Sequence, residues 1–451
     1  MSKEASVLDQ LRKVIDPDLH KDIVTLGFIK DLKIDEESGH VSFICELTTP
    51  ACPVKEKFRE WCHDFVMELD WVSKVDVKLT AQPARSSLQN EQDGLTKVRH
   101  IIAVASCKGG VGKSTVATNL SFALQSHGAR VGIFDADIYG PSLPTMVDTE
   151  FEGLYQEDNM IVPEMHSSGI KLMSFAYASG QQGGPAIMRG PMVTNVIVQM
   201  LNGTDWGELD YLVIDMPPGT GDIQLTLAQS VNISASVMVT TPQKISFIDV
   251  VKGIEMFDKL KVPVISVVEN MSYYLVGDEK HFIFGKGARQ QIVDQFGIEN
   301  AFEIPIHPEL ATCGDTGLPL TAAQPAHEIA KVYGDIAENV VREVERLRYN
   351  QVERSITWEP SEGIIYTVNG KQFTLSTHKL RCACRCAHCI QEFTGEQLLD
   401  PSTVPENIGV TSFNDMGNYA IQIGWDDGHT SIYPFKRIEE LVGYKEDGES
   451  V

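Results

Sequence analysis

Two stretches of the chain hold the residue types from which chemistry is made. The first is SCKGGVGKST at 106–115, where Gly109, Gly110, Val111 and Gly112 lead into Lys113, Ser114 and Thr115. Glycines at this spacing let successive backbone N–H groups turn toward one anion, and a helix starting near Lys113 adds partial positive charge. Lys113 would neutralise the β- and γ-phosphates of a nucleotide, and Ser114 would set its hydroxyl on Mg2+. The strict G-x-x-x-x-G-K-[ST] pattern asks for glycine where Cys107 stands, so the match fails at one position. Carboxylates follow at two strand ends. FDADIYGPS supplies Asp135 and Asp137, one to orient water and one to support Mg2+. LVIDMPPGTGD supplies Asp215 and then a Pro/Gly turn able to respond to a γ-phosphate. ATP binding and hydrolysis are the expected chemistry, with Lys113, Asp137 and Asp215 at its centre.

The second stretch is LRCACRCAHCI at 380–390, with Cys382, Cys384, Cys386 and Cys389 in eight positions. Thiols at C-x-C-x-x-C spacing reach one tetrahedral ion readily, and Zn2+ asks for a fourth nitrogen or sulfur. An iron–sulfur cluster, a disulfide and free thiols stay open on spacing alone. The chain has nine cysteines, an odd count with four clustered, which suits a reducing compartment better than a secreted disulfide scaffold.

These residues need elements to position them. From 98 onward, VRHIIAVAS, RVGIFDAD, LDYLVIDMP, ASVMVTTP and VPVISVVEN are short apolar runs separated by helical patterns. Such runs predict an α/β fold with a parallel sheet covered on both faces. The loop at 106–113 runs straight into STVATNLSFALQSHG, a helix ending in glycine. Residues 1–80 read helix, strand, strand, helix, strand, and 81–97 is a polar, aperiodic linker. After HEIAKVYGDIAENVVREVERLRYN, a last helix closing near 350, short strands dominate, with NG and DDG as hairpin turns.

A chain of 451 residues, 43% hydrophobic and 22% charged, has ample core for about three domains. Its net charge of −24 argues against a nucleic-acid partner, and no run reaches the ~20 apolar residues of a membrane span. The N-terminus carries no signal or transit signature. The expected site is the cytoplasm, or the plastid stroma if a transit peptide has been removed.

KGGVGKST resembles the deviant Walker A motif of the ParA/MinD/nitrogenase-iron-protein family, where the earlier lysine, here Lys108, reaches across a homodimer to the partner's nucleotide. Within it, SCKGGVGKST, DADIYGPS, MRGPM, DYLVIDMPPGTGD, TTPQ and VVENMSYY are similar to the Mrp/ApbC iron–sulfur carriers over roughly 98–345. That resemblance implies Lys108 in catalysis, Asn270 near the adenine, and [4Fe–4S] cargo passed from upstream donors to apo-acceptors. Many such carriers hold a C-x-x-C soon after ENMSY, whereas ENMSYYLVGDEKHFIFGKG contains no cysteine. Cluster thiolates, if present, come from elsewhere.

VIDPDLHKDIVTLGFIKDL and LTTPACP resemble the small SufT-type assembly domain, here 1–82, followed by a linker at 83–97 and the NTPase at 98–350. Cys52 precedes a helix from about 54, and a helix N-terminus lowers a thiol pKa, so Cys52 is a candidate cluster ligand or reactive thiolate. Cys45 and Cys62 read as small buried residues, and Cys313 as a lone loop thiol. The β-rich part, 355–445, resembles the N-terminal zinc module of γ-butyrobetaine hydroxylase, which implies Cys384, Cys386, Cys389 and His429 as Zn2+ ligands, with Cys382 spare and His388 an alternative. The three-part order resembles the high-chlorophyll-fluorescence-type scaffolds. A nucleotide-switched positioning protein of the ParA/MinD kind, with only structural zinc, is the competing expectation. Its membrane form would need an amphipathic tail where EELVGYKEDGESV is short and acidic.

Overall fold

The computed structural model describes residues 2–82, 94–149, 153–179, 190–286, 300–349, 354–359, 363–386, 388–390, 396–416 and 420–444, with 289, 292, 293, 296, 297 and 298. Part of the linker and the Met188–Arg189 end of the MRGPM motif fall outside these residues.

The N-terminal unit follows the expected element order. Helix Lys3–Leu11 is capped by the Ser2 hydroxyl, and helix Lys55–Met67 packs with it on one face of a three-stranded sheet. The strands are Ile29–Asp35, His40–Leu47 and Lys74–Ala81, antiparallel and then parallel. The alternation of HVSFICEL sends Val41, Phe43 and Cys45 inward, where they meet Phe58, Cys62 and Val66 of the helix.

The central unit is a nine-stranded, mostly parallel sheet. From one edge inward run Glu279–His281, Val264–Val276, Ala235–Thr240, Val98–Ala105, Leu209–Asp215, Val131–Asp135, Lys171–Ser174 and Glu164–Met165, with Ala301–Ile306 also paired to Val264–Val276. Helix Lys113–Ser126 and the long helix Glu328–Tyr349 cover one face. Helices Gly190–Gly203 and Lys244–Lys259 cover the other. All five anticipated strands form. Val264–Val276 runs past the predicted end at Asn270, because Met271 takes a left-handed φ of +57° and bulges the strand without breaking it. Strands Lys171–Ser174 and Ala301–Ile306 are additions.

The C-terminal unit has two three-stranded antiparallel sheets, Arg354–Glu359 with Gly363–Val368 and Lys371–Leu375, then Val410–Met416 with Ala420–Trp425 and Thr430–Pro434. The NG turn forms as expected, with φ of +47° at Asn369 and +75° at Gly370, as does the DDG turn, with Gly428 at +79°. Among the described residues no helix is long and apolar enough to cross a membrane.

Candidate functional site

Parallel register decides where the nucleotide-site residues meet. Asp215 is level with Val104 on one neighbouring strand and with Asp135 on the other, so two carboxylates stand side by side at the edge where the strands end. That edge is where open α/β sheets bind ligands. The loop from Ser106 leaves the same edge and turns into helix Lys113–Ser126, with Gly110 and Gly112 at φ of +79° and +81°. At Gly112 the need for glycine is double. Its backbone is left-handed, and an added Cβ would overlap the Asn270 amide nitrogen. Asn270 donates from that nitrogen to the Val111 carbonyl at 2.8 Å. The structure thus places Asn270, expected near an adenine, as a clamp on the loop itself.

Lys113 is 7% exposed, and its ammonium rests on the Asp215 carboxylate and 3.3 Å from the Ser114 hydroxyl. Lys108 is half-buried and forms no ion pair among the described residues. Its carbonyl accepts from the Ser106 hydroxyl at 3.0 Å, and the Ser106 carbonyl accepts from the Gly219 N–H at 3.0 Å. The Pro/Gly turn after Asp215 is therefore stitched to the phosphate loop. Cys107 packs against Gly253 of helix Lys244–Lys259, where a Cβ would collide with its sulfur. A side chain thus fits where the loop pattern asks for glycine, and burial pushes its thiol up to about 12.

Asp135 is committed to structure. It accepts from the N–H groups of Asp137, Ser142 and Leu143 at 2.9–3.1 Å and from the Ser174 hydroxyl at 3.2 Å, fixing the segment that carries Asp137. Burial, and then the charge of Asp215, raise its carboxyl to about 7. Asp137 is half-buried and takes one N–H bond, from Gly140 at 3.1 Å. The strand pattern offered Asp135 and Asp137 as equals; only the fold separates the positioning residue from the freer one.

In the C-terminal unit the three sulfurs of Cys384, Cys386 and Cys389 lie 3.4, 3.5 and 3.7 Å from His429 Nε2. One tetrahedral ion with metal–sulfur bonds of ~2.3 Å and a metal–nitrogen bond of ~2.0 Å requires S···N edges of roughly 3.5 Å. The four ligand atoms lie within 4.8 Å of one another. A cubane cluster instead takes one ligand per iron, at corners that stand apart. The donor set and its spacing therefore fit a single tetrahedral ion. Arg381, which sequence reading missed, is buried beneath it, donating to Cys389 Sγ at 3.5 Å and to Asp427 at 2.9 Å, while Asp427 accepts the backbone N–H of His429 at 2.9 Å. The Cys386 thiol is drawn down to about 4, chiefly by a hydrogen bond from Cys384. Cys382 turns away to His378 Nε2 at 3.6 Å, as a spare thiol would, and His388 is exposed and outside the set.

Cys52 corrects one half of its expectation, the reactive thiolate. It does precede helix Lys55–Met67, but burial pushes its thiol up to about 12, with the neighbouring Asp16 and Asp18 charges adding to the effect. It is a partly buried thiol held protonated. Cys45 and Cys62 are 0% exposed, as read, and Cys313 is buried. A further cluster, His307, Glu309 and His327, was not foreseen. Both rings accept backbone N–H groups at Nδ1, from Glu309 at 3.3 Å and Ile329 at 3.2 Å. A neutral ring so engaged carries its proton on Nε2, and His327 Nε2 sits 2.9 Å from Glu309. These are helix caps with no lone pair left for a metal.

Comparison with known proteins follows the three units. Residues 97–341 match a family model described as the NUBPL iron-transfer P-loop NTPase of the ParA group. Residues 4–79 match the iron-sulfur cluster assembly protein family, and 362–439 the gamma-butyrobetaine hydroxylase-like N-terminal family. The chain is 49% identical over 441 residues to the Fe-S cluster assembly factor HCF101, chloroplastic, of Oryza sativa subsp. japonica, covering 96% of this chain and 82% of that one. It is 41% identical over 346 residues to the iron-sulfur cluster carrier protein of Synechocystis sp., covering 75% and 97%. Among solved structures, a nucleotide-binding protein in complex with ADP from Archaeoglobus fulgidus is 35% identical, with a TM-score of 0.47, over 53% of this chain and 93% of that one.

Proposed function

The chain belongs to the iron–sulfur cluster carriers built on a ParA-type P-loop NTPase, in the three-part form of the chloroplast assembly factors, and on that premise we propose that it spends ATP to deliver [4Fe–4S] clusters to apo-proteins. The cluster is cargo, received from an upstream donor and released to an acceptor. We divide the chain into an assembly domain at 1–82, a linker at 83–97, the NTPase at 98–350 and a zinc-binding-like β-rich module at 355–445.

The observation that carries this reading is the pairing of Lys113 with Asp215 beneath the glycine loop. A triphosphate entering the loop offers Lys113 a stronger anion than one carboxylate. Lys113 then turns to the phosphates and frees Asp215, which with Ser114 would hold Mg2+, an ion that would supply positive charge against the phosphate oxygens. Gly109, Gly110, Val111, Gly112, Lys113, Ser114 and Thr115 present the cradle, and Asn270 keeps it shaped. Asp137 orients the attacking water. Lys108 completes the site of the second copy in a homodimer, where its charge meets the phosphate oxygens as negative charge grows in the transition state. Hydrolysis removes the γ-phosphate that orders the turn after Asp215, and the turn's tie to Ser106 passes that change along the loop.

In the C-terminal module Cys384, Cys386, Cys389 and His429 would hold Zn2+. The ion would act structurally, fixing the thiol loop to the strand pair that flanks His429 in a unit with a small core of its own. Cys52 is the candidate cargo thiol outside that module. The plastid stroma of the plant relatives and a bacterial cytoplasm both supply the reducing conditions such thiols need.

Size measurement at saturating non-cleavable ATP analogue, paired with turnover, tests the reading. A dimer is expected at concentrations where hydrolysis is seen, with Lys108→Ala binding nucleotide and failing to hydrolyse it. A monomer at those concentrations, or normal turnover in Lys108→Ala, would remove the shared site.

A further inference from the structure

Strand Val264–Val276 does not stop where the sheet stops. Its Glu269 is level with Thr240, the last residue of the neighbouring strand, and that strand pairs in turn with Val98–Ala105, which feeds the phosphate loop. Residues 270–276, at ~3.3 Å each, carry the chain roughly 20 Å past that level before it returns through Glu279–His281. Sheet twist of ~20–25° per strand tilts this ribbon by roughly 45° from the phosphate-loop strand, which still leaves about 14 Å of rise. The ribbon stands two strands from that loop, about 10 Å to one side.

One face of the ribbon is tied down. Tyr273 and Phe282 pack with ring centroids 6.2 Å apart. The Lys280 ammonium lies 3.8 Å over the Tyr273 ring, and the Lys286 ammonium 3.8 Å over that of Phe282. Lys280 also pairs with Glu303 of strand Ala301–Ile306 at 3.7 Å. Strand alternation sends Tyr274 and Val276 the other way. They are 38% and 56% exposed, and Ile283, just past the returning strand, is 59% exposed. The ribbon thus keeps its shape through one set of side chains and leaves three large apolar ones facing water.

The occupant of that apolar surface follows from Lys108. This lysine leaves the same edge, half-buried and without an ion pair among the described residues. For its ammonium to meet the phosphates of a second copy, the two edges must close to within one lysine side chain. A ribbon rising well beyond the edge then runs along the body of that copy. Residues 270–286 include no cysteine, so the contact is apolar and forms without metal.

We propose that this ribbon grips the second copy: in the nucleotide-loaded pair, Tyr274, Val276 and Ile283 of each subunit are buried against the other. The proposal rests on the shared-site reading of Lys108 and adds the surface that holds the two copies together.

The test is sedimentation of the full chain, free of iron and sulfide, saturated with Mg2+ and a non-cleavable ATP analogue. Tyr274→Ser/Val276→Ser removes apolar surface, and Ile283→Glu puts a charge into the contact. Each should raise the dimer dissociation constant at least about tenfold. Nucleotide affinity of the dilute single chain should match the wild type. Turnover should fall at low protein concentration and recover as concentration rises, which a folding defect would not do. Leu398→Ser, which removes a side chain of the C-terminal unit as exposed as Val276, should change nothing. Wild-type dimers whose dissociation constant is unaltered in both ribbon variants overturn the grip and leave the shared site standing. So does a loss of apo-acceptor binding in those variants with dimerisation intact, since the ribbon then serves another protein. A wild type that stays single at every concentration where it turns over removes the shared site, and the grip with it.

Discussion

Two loops in this molecule share one design and behave in opposite ways. Ser106–Gly112 and Thr48–Val54 each leave a strand and enter a helix, and sequence reading treated both as places where a helix terminus favours negative charge. At the first the argument works. Gly109 and Gly110 are exposed, so backbone N–H groups face solvent and an incoming phosphate. At the second the charged form is disfavoured, and the Cys52 thiol is pushed up to about 12. A helix terminus supplies about 0.3–1 kcal/mol to a nearby charge. Taking an ionised group out of water costs several kcal/mol. Desolvation wins at Cys52, which packs against the core of its own unit. A helix N-terminus predicts an anion site only when something keeps it open, and the glycines do that at one end of the sheet.

Substitutions can break or sharpen this contrast. The largest effect is expected at Lys108, the cation the open end lends to a second copy. Lys108→Ala should lower turnover by about 1,000-fold or more, as removing a trans-acting cation does in related chemistry, with nucleotide affinity little changed. A drop confined to affinity would contradict the shared site. Next is Lys113→Ala, which removes charge-assisted bonds to phosphate and should weaken ATP binding by roughly 100-fold in calorimetry. Gly112→Ala should come third. It forces a Cβ onto Asn270 in a left-handed backbone and should cost about 1–3 kcal/mol of stability or of nucleotide binding. The same change at Gly109, where nothing lies within 4 Å of an added Cβ and φ is not left-handed, should cost far less.

The smallest expected effect is on pH dependence. Asp135 holds its proton up to about 7, whereas an unfolded carboxyl releases it near the usual carboxylate range. Between those values the folded chain binds more protons than the unfolded one, so stability is highest at the acid end and falls as pH rises through 7. Thermal melts of nucleotide-free protein should show a declining midpoint over that window. Asp135→Asn should flatten the slope, although it also loses N–H acceptance at Ser142 and Leu143. A midpoint rising with pH in the wild type would refute the assignment.

The parts of this architecture legible in sequence are the local ones. The Gly–Lys–Ser run, the apolar strands, the NG and DDG turns and the C-x-C-x-x-C spacing each lie within a dozen residues and follow backbone rules that neighbours do not override. Long-range contacts decided the rest. Lys171–Ser174 and Ala301–Ile306 are four and six residues long and need their partner strands to be recognisable as strands. Asp135 and Asp137 look alike until Ser142, Leu143 and Ser174 fold back onto one of them. His429, 40 residues beyond Cys389, entered through resemblance alone, and Arg381 and Asp427 beneath the thiols gave no signal. His307 and His327 sit next to helix starts, where a capping role could have been read from HPE and HEI. The upward shift at Cys52 comes from burial and from Asp16 and Asp18, more than 30 residues away in sequence, which is why a local helix-terminus argument misjudged it.

The central claim is that this chain carries clusters and uses ATP to part with them. Anaerobic reconstitution with iron and sulfide, followed by timed transfer to an apo-[4Fe–4S] acceptor with and without ATP, tests it most directly. The account predicts labile sulfide on the chain, with C-terminal zinc retained, and transfer that ATP accelerates in the wild type but not in Lys108→Ala. A chain that binds zinc at the C-terminal thiols and takes up no labile sulfide at any stoichiometry would contradict it.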